Sequence, residues 1–151
     1  MQPLVVSKEI DATAKQVFEV IAHFDVAAKI LPKIERVVIL TDKKRGVGTR
    51  FAETRKVGKR QFTLEFEVTE YDAPHSVRFV SVDPSGTTWD SFFELKESDS
   101  VTQVTLTMHC LPTKYGMRLI WPLMKIILRK DVQADLNDFA DHLACQEQPE
   151  L

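Results

Sequence analysis

The chain has 151 residues, of which 44% are hydrophobic and 28% charged, and its formal charge at pH 7 is −2. This length predicts a single domain over residues 1–151, and the composition excludes disordered and low-complexity chains. The nearly balanced charge also argues against a nucleic-acid partner, because binding to phosphates requires clustered positive charge.

The sequence predicts no targeting segment. Met1–Glu9 lacks the apolar stretch that follows the basic start of a signal peptide. The longest apolar segment, Met117–Leu128, has 12 residues and contains a proline and charged residues, whereas a membrane span needs about 20 apolar residues. Two cysteines cannot form a disulfide framework. We therefore expect a cytoplasmic location.

The N-terminal part of the chain predicts one strand and two short helices. Leu4–Ile10 is rich in residues that favour strands. Apolar residues over Ala14–Phe24 then recur at helical spacing, and Thr13 with Gln16 forms the pattern of a capping box. A second short helix is predicted over Asp25–Leu31, where a following proline ends it.

The middle of the chain predicts six strands that are separated by turns. The clearest pattern is Phe62–Thr69, in which apolar and polar residues alternate strictly, as in a strand with one dry face. The turns are of hairpin length, which favours a single antiparallel sheet. The six predicted strands are Ile34–Leu40, Thr49–Val57, Phe62–Thr69, Val77–Val82, Trp89–Leu95 and Val101–Cys110.

The last third of the chain predicts a long helix. From Met124 to Leu143, apolar residues recur at steps of three and four and form one continuous stripe. Pro122 either begins this helix or kinks a longer one.

A sheet with one apolar face must be covered, and this long helix is the largest element available to cover it. A twisted sheet does not lie flush along a straight helix, so we expect a cavity between them. The alternative is that the inward side chains simply interlock as a core. The residues predicted to line the cavity are Phe51, Glu53, Phe62, Leu64, Phe66, Phe79, Trp89, Phe93, Leu106, Met108, Ile120, Met124 and Leu128.

Several segments, in their order along the chain, resemble the START/SRPBCC superfamily. They are Ile10–Ala12 before the first helix, Gly46–Phe51, Val68–Pro74 and Thr102–Thr107. More narrowly, the chain resembles the bacterial polyketide cyclase/dehydrase and lipid-transport branch. The resemblance implies an α+β protein with the helix-grip fold of birch-pollen-allergen-like proteins. In that fold a seven-stranded curved antiparallel sheet wraps around a long C-terminal helix, and two short helices lie between strands 1 and 2.

The resemblance implies a cavity for an apolar ligand but leaves the function open, since fold does not fix function. The first hypothesis is a carrier or sensor that binds a hydrophobic small molecule, such as a lipid, a polyketide or an isoprenoid-like compound. The second is a polyketide cyclase or dehydratase that uses the same cavity. The third is a protein-interaction module that resembles the co-chaperone members of the superfamily. No cofactor is predicted in any of the three.

Two residues are candidates for polar contacts in the cavity. Glu53 shares strand parity with Phe51, so one of two registers turns its carboxylate inward, where it becomes a weak candidate for a general acid or base. In the other register Glu53 pairs with Arg55 or Arg50 on a solvated face. Trp89 offers an indole donor to a ligand carbonyl, or it is a core residue that donates to the backbone.

Metal and nucleotide sites are not predicted. His23, His75, His109 and His142 lie on separate elements, and no two of them have the spacing of metal ligands. The glycines around Val47 lack the third glycine and the following helix of a phosphate-binding loop.

The segment Met117–Leu128 is apolar on nearly every side, with Lys114, Arg118, Lys125 and Arg129 in one rough stripe. Three interpretations stay open. The segment is the fully buried first half of the helix, it makes transient contact with a membrane surface, or it forms the interface of a homodimer.

Overall fold

The computed structural model describes residues 1–147, and the order of its helices and strands is the predicted one. The elements are β1 (Leu4–Ile10), α1 (Ala14–Ile21), α2 (Phe24–Ile30), β2 (Ile34–Ile39), β3 (Arg50–Val57), β4 (Arg60–Asp72), β5 (Ser76–Val82), β6 (Thr88–Ser98), β7 (Val101–Leu111) and α3 (Tyr115–Glu147). This order confirms the α+β helix-grip fold.

The seven strands form one antiparallel sheet in the order β1-β7-β6-β5-β4-β3-β2. Irregular pairing occurs between Val68 and Glu70 of β4 and between Ile34 and Arg36 of β2. Such bulges bend a strand and increase its twist, so they help to curve the sheet. The concave side of this curve faces the helices.

Helix α1 begins as its sequence predicts. The Thr13 side chain accepts a hydrogen bond from the backbone of Gln16, whose side chain accepts one from the Thr13 backbone. This reciprocal pair satisfies two amides that the first turn leaves free. Val17 and Phe18 of α1 are buried and join the core. Helix α2 begins at Phe24, one residue earlier than predicted.

Helix α3 is a single helix of 33 residues that includes Pro122, so the longer helix of the two alternatives is observed. It packs mainly on β1, α1 and α2. In its second half Leu136, Phe139 and Leu143 are buried in the core. No helix within residues 1–147 is long and apolar enough to cross a membrane.

Candidate functional site

The site is built on the concave sheet face, where alternate residues of each strand point toward α3. On β3 these residues are Phe51, Glu53 and Arg55, and their direct partners on β4 are Phe66, Leu64 and Phe62. Residues directly opposite in an antiparallel pair share one face. Arg55 donates a hydrogen bond to Asp135 of α3, with 2.9 Å between Nη1 and Oδ2. The whole set of residues therefore faces the helix.

One end of the concave space is filled by aromatic rings. Phe24 of α2 stacks on Phe51 with 4.2 Å between ring centroids and meets Phe79 edge-on at 4.8 Å. Phe51 also stacks on Phe66 at 5.3 Å. The pocket beside this cluster has a volume of about 10 Å³, which is room for at most one water molecule. This end is therefore packed core.

The other end of the concave face stays open. Phe62 points toward the helix side of the sheet, yet half of its surface (50%) is exposed. Leu64 is half-buried on the same face, and Met124 and Leu128 of α3 are half-buried too. The protein therefore leaves these apolar side chains incompletely covered.

The predicted cavity residues fall into three groups by burial. Phe51, Glu53, Phe79 and Leu106 are buried. Leu64, Phe66, Trp89, Phe93, Met108, Met124 and Leu128 are half-buried. Phe62 and Ile120 are exposed. The part of each residue in ligand binding stays a prediction.

Glu53 belongs to an ion-pair chain that crosses from the sheet to α3. The Nε atom of Arg55 donates to Glu53 Oε1 at 2.8 Å, and its Nη1 atom donates to Asp135 Oδ2 at 2.9 Å. Asp131 lies one turn before Asp135 on α3, and it pairs with Lys33 at 2.8 Å. The expected pairing of Glu53 with Arg55 is observed, but it lies on the concave face, where Glu53 is buried, and not on a solvated face.

Two carboxylates share one guanidinium in this chain of contacts. Burial raises the pKa of Glu53 above its ordinary value, although the Arg55 charge opposes the rise. Burial likewise raises the pKa of Asp135 against the effect of Arg55. With both carboxylates ionised the three groups carry one net negative charge, so the site favours holding an extra proton. A carboxylic acid held this way can donate a hydrogen bond or a proton.

Trp89 is held differently from either expectation. Its indole nitrogen donates to the Asp83 carboxylate at 3.0 Å, so the partner is a side chain and not the backbone. Its ring lies 6.1 Å from that of Trp121, which is buried and donates to the backbone oxygen of Gln2. Because the indole donor of Trp89 is occupied, it is not free for a ligand carbonyl. Trp89 contributes an apolar surface.

Ser81 is a concave-face polar group that the sequence did not single out. It lies opposite Phe66 on β4 and opposite Trp89 on β6. Its side chain is buried, and its hydroxyl has no hydrogen-bond partner among the described residues. An unpaired buried hydroxyl is costly, which makes Ser81 available to a ligand atom.

Asp135 was also missed, and Arg55 was expected to pair with Glu53 only on a solvated face. Glu53 and Arg55 are two residues apart on one strand, so they share a face whichever way the strand points. Strand β3 therefore places one negative and one positive side chain on the face that holds Phe51. Asp135 is 80 residues away from Arg55, and no local pattern links it to β3.

The first half of α3 corrects one interpretation. One of the three interpretations of Met117–Leu128 is that the segment is fully buried. This interpretation is wrong, because of the described residues in this segment only Trp121 is fully buried. Leu119 (73%), Leu123 and Ile126 are among the exposed large apolar residues. The apolar sequence of this segment does not predict which side is exposed, because a helix that is apolar all round gives no indication of which side the protein covers.

Two other kinds of site were considered in the structure, a metal site and a second groove. Within residues 1–147, no group of three or more His, Cys, Asp or Glu side chains could hold a metal ion. An open groove of about 460 Å³ lies between the start of α1, the β4–β5 turn and the end of β6. Its lining residues include Ala14, His75 and Lys96.

Comparisons with known proteins place the chain in a family. The family described as polyketide cyclase / dehydrase and lipid transport matches residues 1–144. No curated protein matches the chain.

Solved structures of low identity share the fold. The Zhui aromatase/cyclase from a Streptomyces species is 17% identical, with a TM-score of 0.81 over 97% of this chain and 96% of that chain. A point mutant of norcoclaurine synthase from Thalictrum flavum is 13% identical, with a TM-score of 0.76 over 97% and 96%. A Thermus thermophilus protein is 16% identical, with a TM-score of 0.79 over 97% and 99%. At such identities the likeness concerns the fold alone.

Proposed function

The chain belongs to the polyketide cyclase/dehydrase and lipid transport family, which confirms the resemblance in its sequence, and we propose that it binds a neutral hydrophobic small molecule as a carrier or sensor. The ligand is a lipid, a polyketide or an isoprenoid-like compound. It lies between the open end of the concave sheet face and α3. The observation that carries this proposal is the set of apolar side chains that face the helix without being covered by it.

The helix side of this site follows from helical spacing. Asp135 contacts β3 through Arg55. Met124 and Leu128 precede Asp135 by eleven and seven residues, close to three and two whole turns, so they lie on the same side of α3. They therefore lie on the side of α3 that faces β3 at Asp135. A ligand inserted there exchanges water contacts for apolar contacts on two sides, which is the main driving force for such binding.

The charge of the site favours a neutral ligand. Arg55 is already paired with two carboxylates, so it has no charge left for a ligand anion, and a ligand anion meets net repulsion. A ligand hydroxyl instead finds the buried Glu53 carboxylate as an acceptor, and a ligand carbonyl or hydroxyl finds the unpaired hydroxyl of Ser81. These groups orient the polar end of an otherwise apolar molecule.

Fluorescence titration with the neutral probe N-phenylnaphthylamine tests this function, together with native mass spectrometry of protein purified under mild conditions. We expect saturable probe uptake and at least tenfold weaker uptake by Leu64→Arg, because a charge at the open end of the concave face loses its hydration when the probe binds. The matched control is Val80→Arg. Val80 is half-buried between Glu67 and Asp90 and points to the opposite face. Absence of any uptake, or equal loss in both variants, contradicts the proposal.

An enzymatic role as a cyclase or dehydratase is the second candidate, and the buried carboxylates are the observation that favours it. In this role Glu53 exchanges a proton with a ligand carbonyl while Arg55 and Asp135 hold it in place. Glu53→Gln keeps the size of the side chain and removes the titrating proton. Turnover of a candidate polyketide chain that is lost in Glu53→Gln, with probe uptake retained, supports the enzyme; unchanged turnover removes the role of Glu53.

A protein-interaction module is the third candidate from the sequence. The packed aromatic end and the exposed half of α3 fit this role, whereas the open apolar face beside Phe62 and Leu64 fits a ligand-binding protein. The proposal of a carrier or sensor rests on that difference.

A further inference from the structure

The first half of α3 exposes a continuous apolar surface. We define the apolar α3 surface as Tyr115, Leu119, Ile120, Leu123, Ile126 and Ile127, each of which is 47–75% exposed. At 3.6 residues per turn these six residues cover an arc of about 140°, opposite the buried Trp121. Neighbouring apolar residues exposed on one face of a helix mark an interaction site more often than single exposed ones do.

The charges of α3 are sorted by sign along its length. Residues 114–130 contain Lys114, Arg118, Lys125, Arg129 and Lys130 and no Asp or Glu. Residues 131–147 contain five acidic residues and no Lys or Arg. A helix is stabilised by the opposite arrangement, with acidic residues near its N-terminus and basic residues near its C-terminus. Helix stability therefore does not explain why the basic residues lie in the first half and the acidic residues in the second. A negatively charged partner of the first half explains this distribution.

We propose that the apolar α3 surface docks on the surface of an anionic lipid membrane. At helical spacing Arg118 and Lys125 form a row along one flank of the apolar arc, and Arg129 continues this row while one of its nitrogens donates to the Val5 backbone oxygen at 2.8 Å. A helix lying in the membrane interface buries its apolar face among the acyl chains while the flanking cations meet lipid phosphates. Lys130 lies beyond the last residue of the apolar α3 surface, near the middle of the arc, where its long side chain can extend to the headgroups.

The same charges disfavour a second copy of the chain as the occupant. In a two-fold pair centred on the apolar α3 surface, the basic residues of both helices lie together, and no carboxylate of residues 114–130 separates them. Like charges brought together in an interface weaken it. At a membrane, by contrast, the acidic second half is repelled and the basic first half attracted, which orients α3.

Docking would bring the proposed ligand site to the membrane. Met117, Met124 and Leu128 lie on the core side of the docked segment of α3, so a ligand dissolved in the bilayer reaches the site along the same helix. The docking itself does not require a ligand. It can therefore be tested separately from ligand binding, and either proposal can fail alone.

Vesicle flotation of the full chain without ligand tests the proposal. We expect binding to vesicles of phosphatidylcholine with phosphatidylglycerol, weak binding to phosphatidylcholine alone, and loss of binding as salt concentration rises. Leu119→Glu with Leu123→Glu should lower the apparent partition coefficient roughly tenfold or more. Arg118→Glu should lower it roughly fivefold or more, by removing one cation and adding an anion. The matched controls are Val38→Glu and Arg36→Glu on β2, both at exposed positions of the sheet face that points away from α3, and both should bind as the parent does.

Circular dichroism and thermal unfolding establish that every variant is folded. Failure of the folded parent to float with anionic vesicles overturns the proposal. Equal flotation with neutral vesicles overturns the electrostatic part, and equal loss in Val38→Glu overturns the assignment to α3. A dimer in light scattering that Leu123→Glu dissociates, without vesicle binding, assigns the surface to a second copy instead.

Discussion

Replacing Arg55 by Met tests whether the concave face holds a coupled ion network. Arg55 donates to a carboxylate on its own strand at 2.8 Å and to one on α3 at 2.9 Å. Methionine keeps much of the side-chain volume and removes both bonds. It therefore leaves Glu53 and Asp135 on the concave face without a counter-ion.

The expected loss of stability follows from these contacts. Hydrogen bonds to charged groups contribute about 1.5–3 kcal/mol each, and removing one partner of a buried ion pair costs about 3–5 kcal/mol. The Arg55 side chain is 24% exposed, so water screens part of the interaction. We expect the lower end of the range, about 3 kcal/mol of the free energy of unfolding near pH 7.

The loss should depend on pH in a defined direction. Glu53 and Asp135 have raised pKa values through burial even beside Arg55, and without the guanidinium these values rise further. Between the ordinary pKa of about 4.5 for Glu53 and the raised value, the folded variant binds more protons than the unfolded chain. Its free energy of unfolding therefore falls as pH rises, and the variant approaches the parent near pH 4.

Urea unfolding at several pH values between about pH 4 and pH 7.5 measures this difference. The matched control is Arg50→Met, which removes an exposed pair with Glu65 at 3.3 Å and should cost about 0–1 kcal/mol. A loss for Arg55→Met below about 1 kcal/mol near pH 7, or one that is the same at both ends of the pH range, would refute the network.

Three further predictions concern the framework of the site, and urea unfolding checks each. Thr13→Ala removes the N-cap of α1 and should cost about 1 kcal/mol; a change below about 0.3 kcal/mol would contradict the capping geometry. Burial, with a smaller effect of Arg45, lowers the pKa of His23 below 6.5, so the folded chain binds fewer protons just below that pH and stability rises with pH through this window. His23→Gln should flatten that slope, and an unchanged slope would exclude His23 as its cause. Leu136→Ala empties a buried position of α3 and should cost about 2–5 kcal/mol, whereas Leu119→Ala at an exposed position should change stability by about 0.5 kcal/mol or less. Equal effects of the two would contradict the exposure assigned to the first half of α3.

The strands and their faces were predictable because the signal is local. Strict alternation in Phe62–Thr69 fixes which residues share a face, and hairpin turns fix which strands are neighbours. The structure places Phe62, Leu64 and Phe66 on the helix side as the alternation indicated. The start of α1 was predictable for the same reason, since Thr13 and Gln16 satisfy each other's backbone within one turn.

The contents of the site were less predictable because they depend on where distant elements meet. The direction of Glu53 depends on strand register, and its second neighbour in the ion network, Asp135, lies on α3. The filling of one end of the concave space depends on Phe24, which α2 inserts among the rings of β3 and β5. Neither contact follows from spacing along the chain, since each is set by the packing angle of a helix against the sheet.

Helix α3 shows how charge can resolve what hydrophobicity leaves open. At 1.5 Å per residue its 33 residues span about 50 Å, and the buried residues Leu136, Phe139 and Leu143 all lie in its second half. Apolar content alone does not distinguish a half that the protein covers from a half that a partner covers. The distribution of charge does distinguish the two halves. The five basic residues of 114–130 lie toward the N-terminal end of α3, where the helix dipole does not stabilise positive charge. Apart from Arg129, which donates to the Val5 backbone oxygen, these cations stand ready for an outside partner, and an anionic lipid surface supplies both negative charge and an apolar phase for this half of the helix.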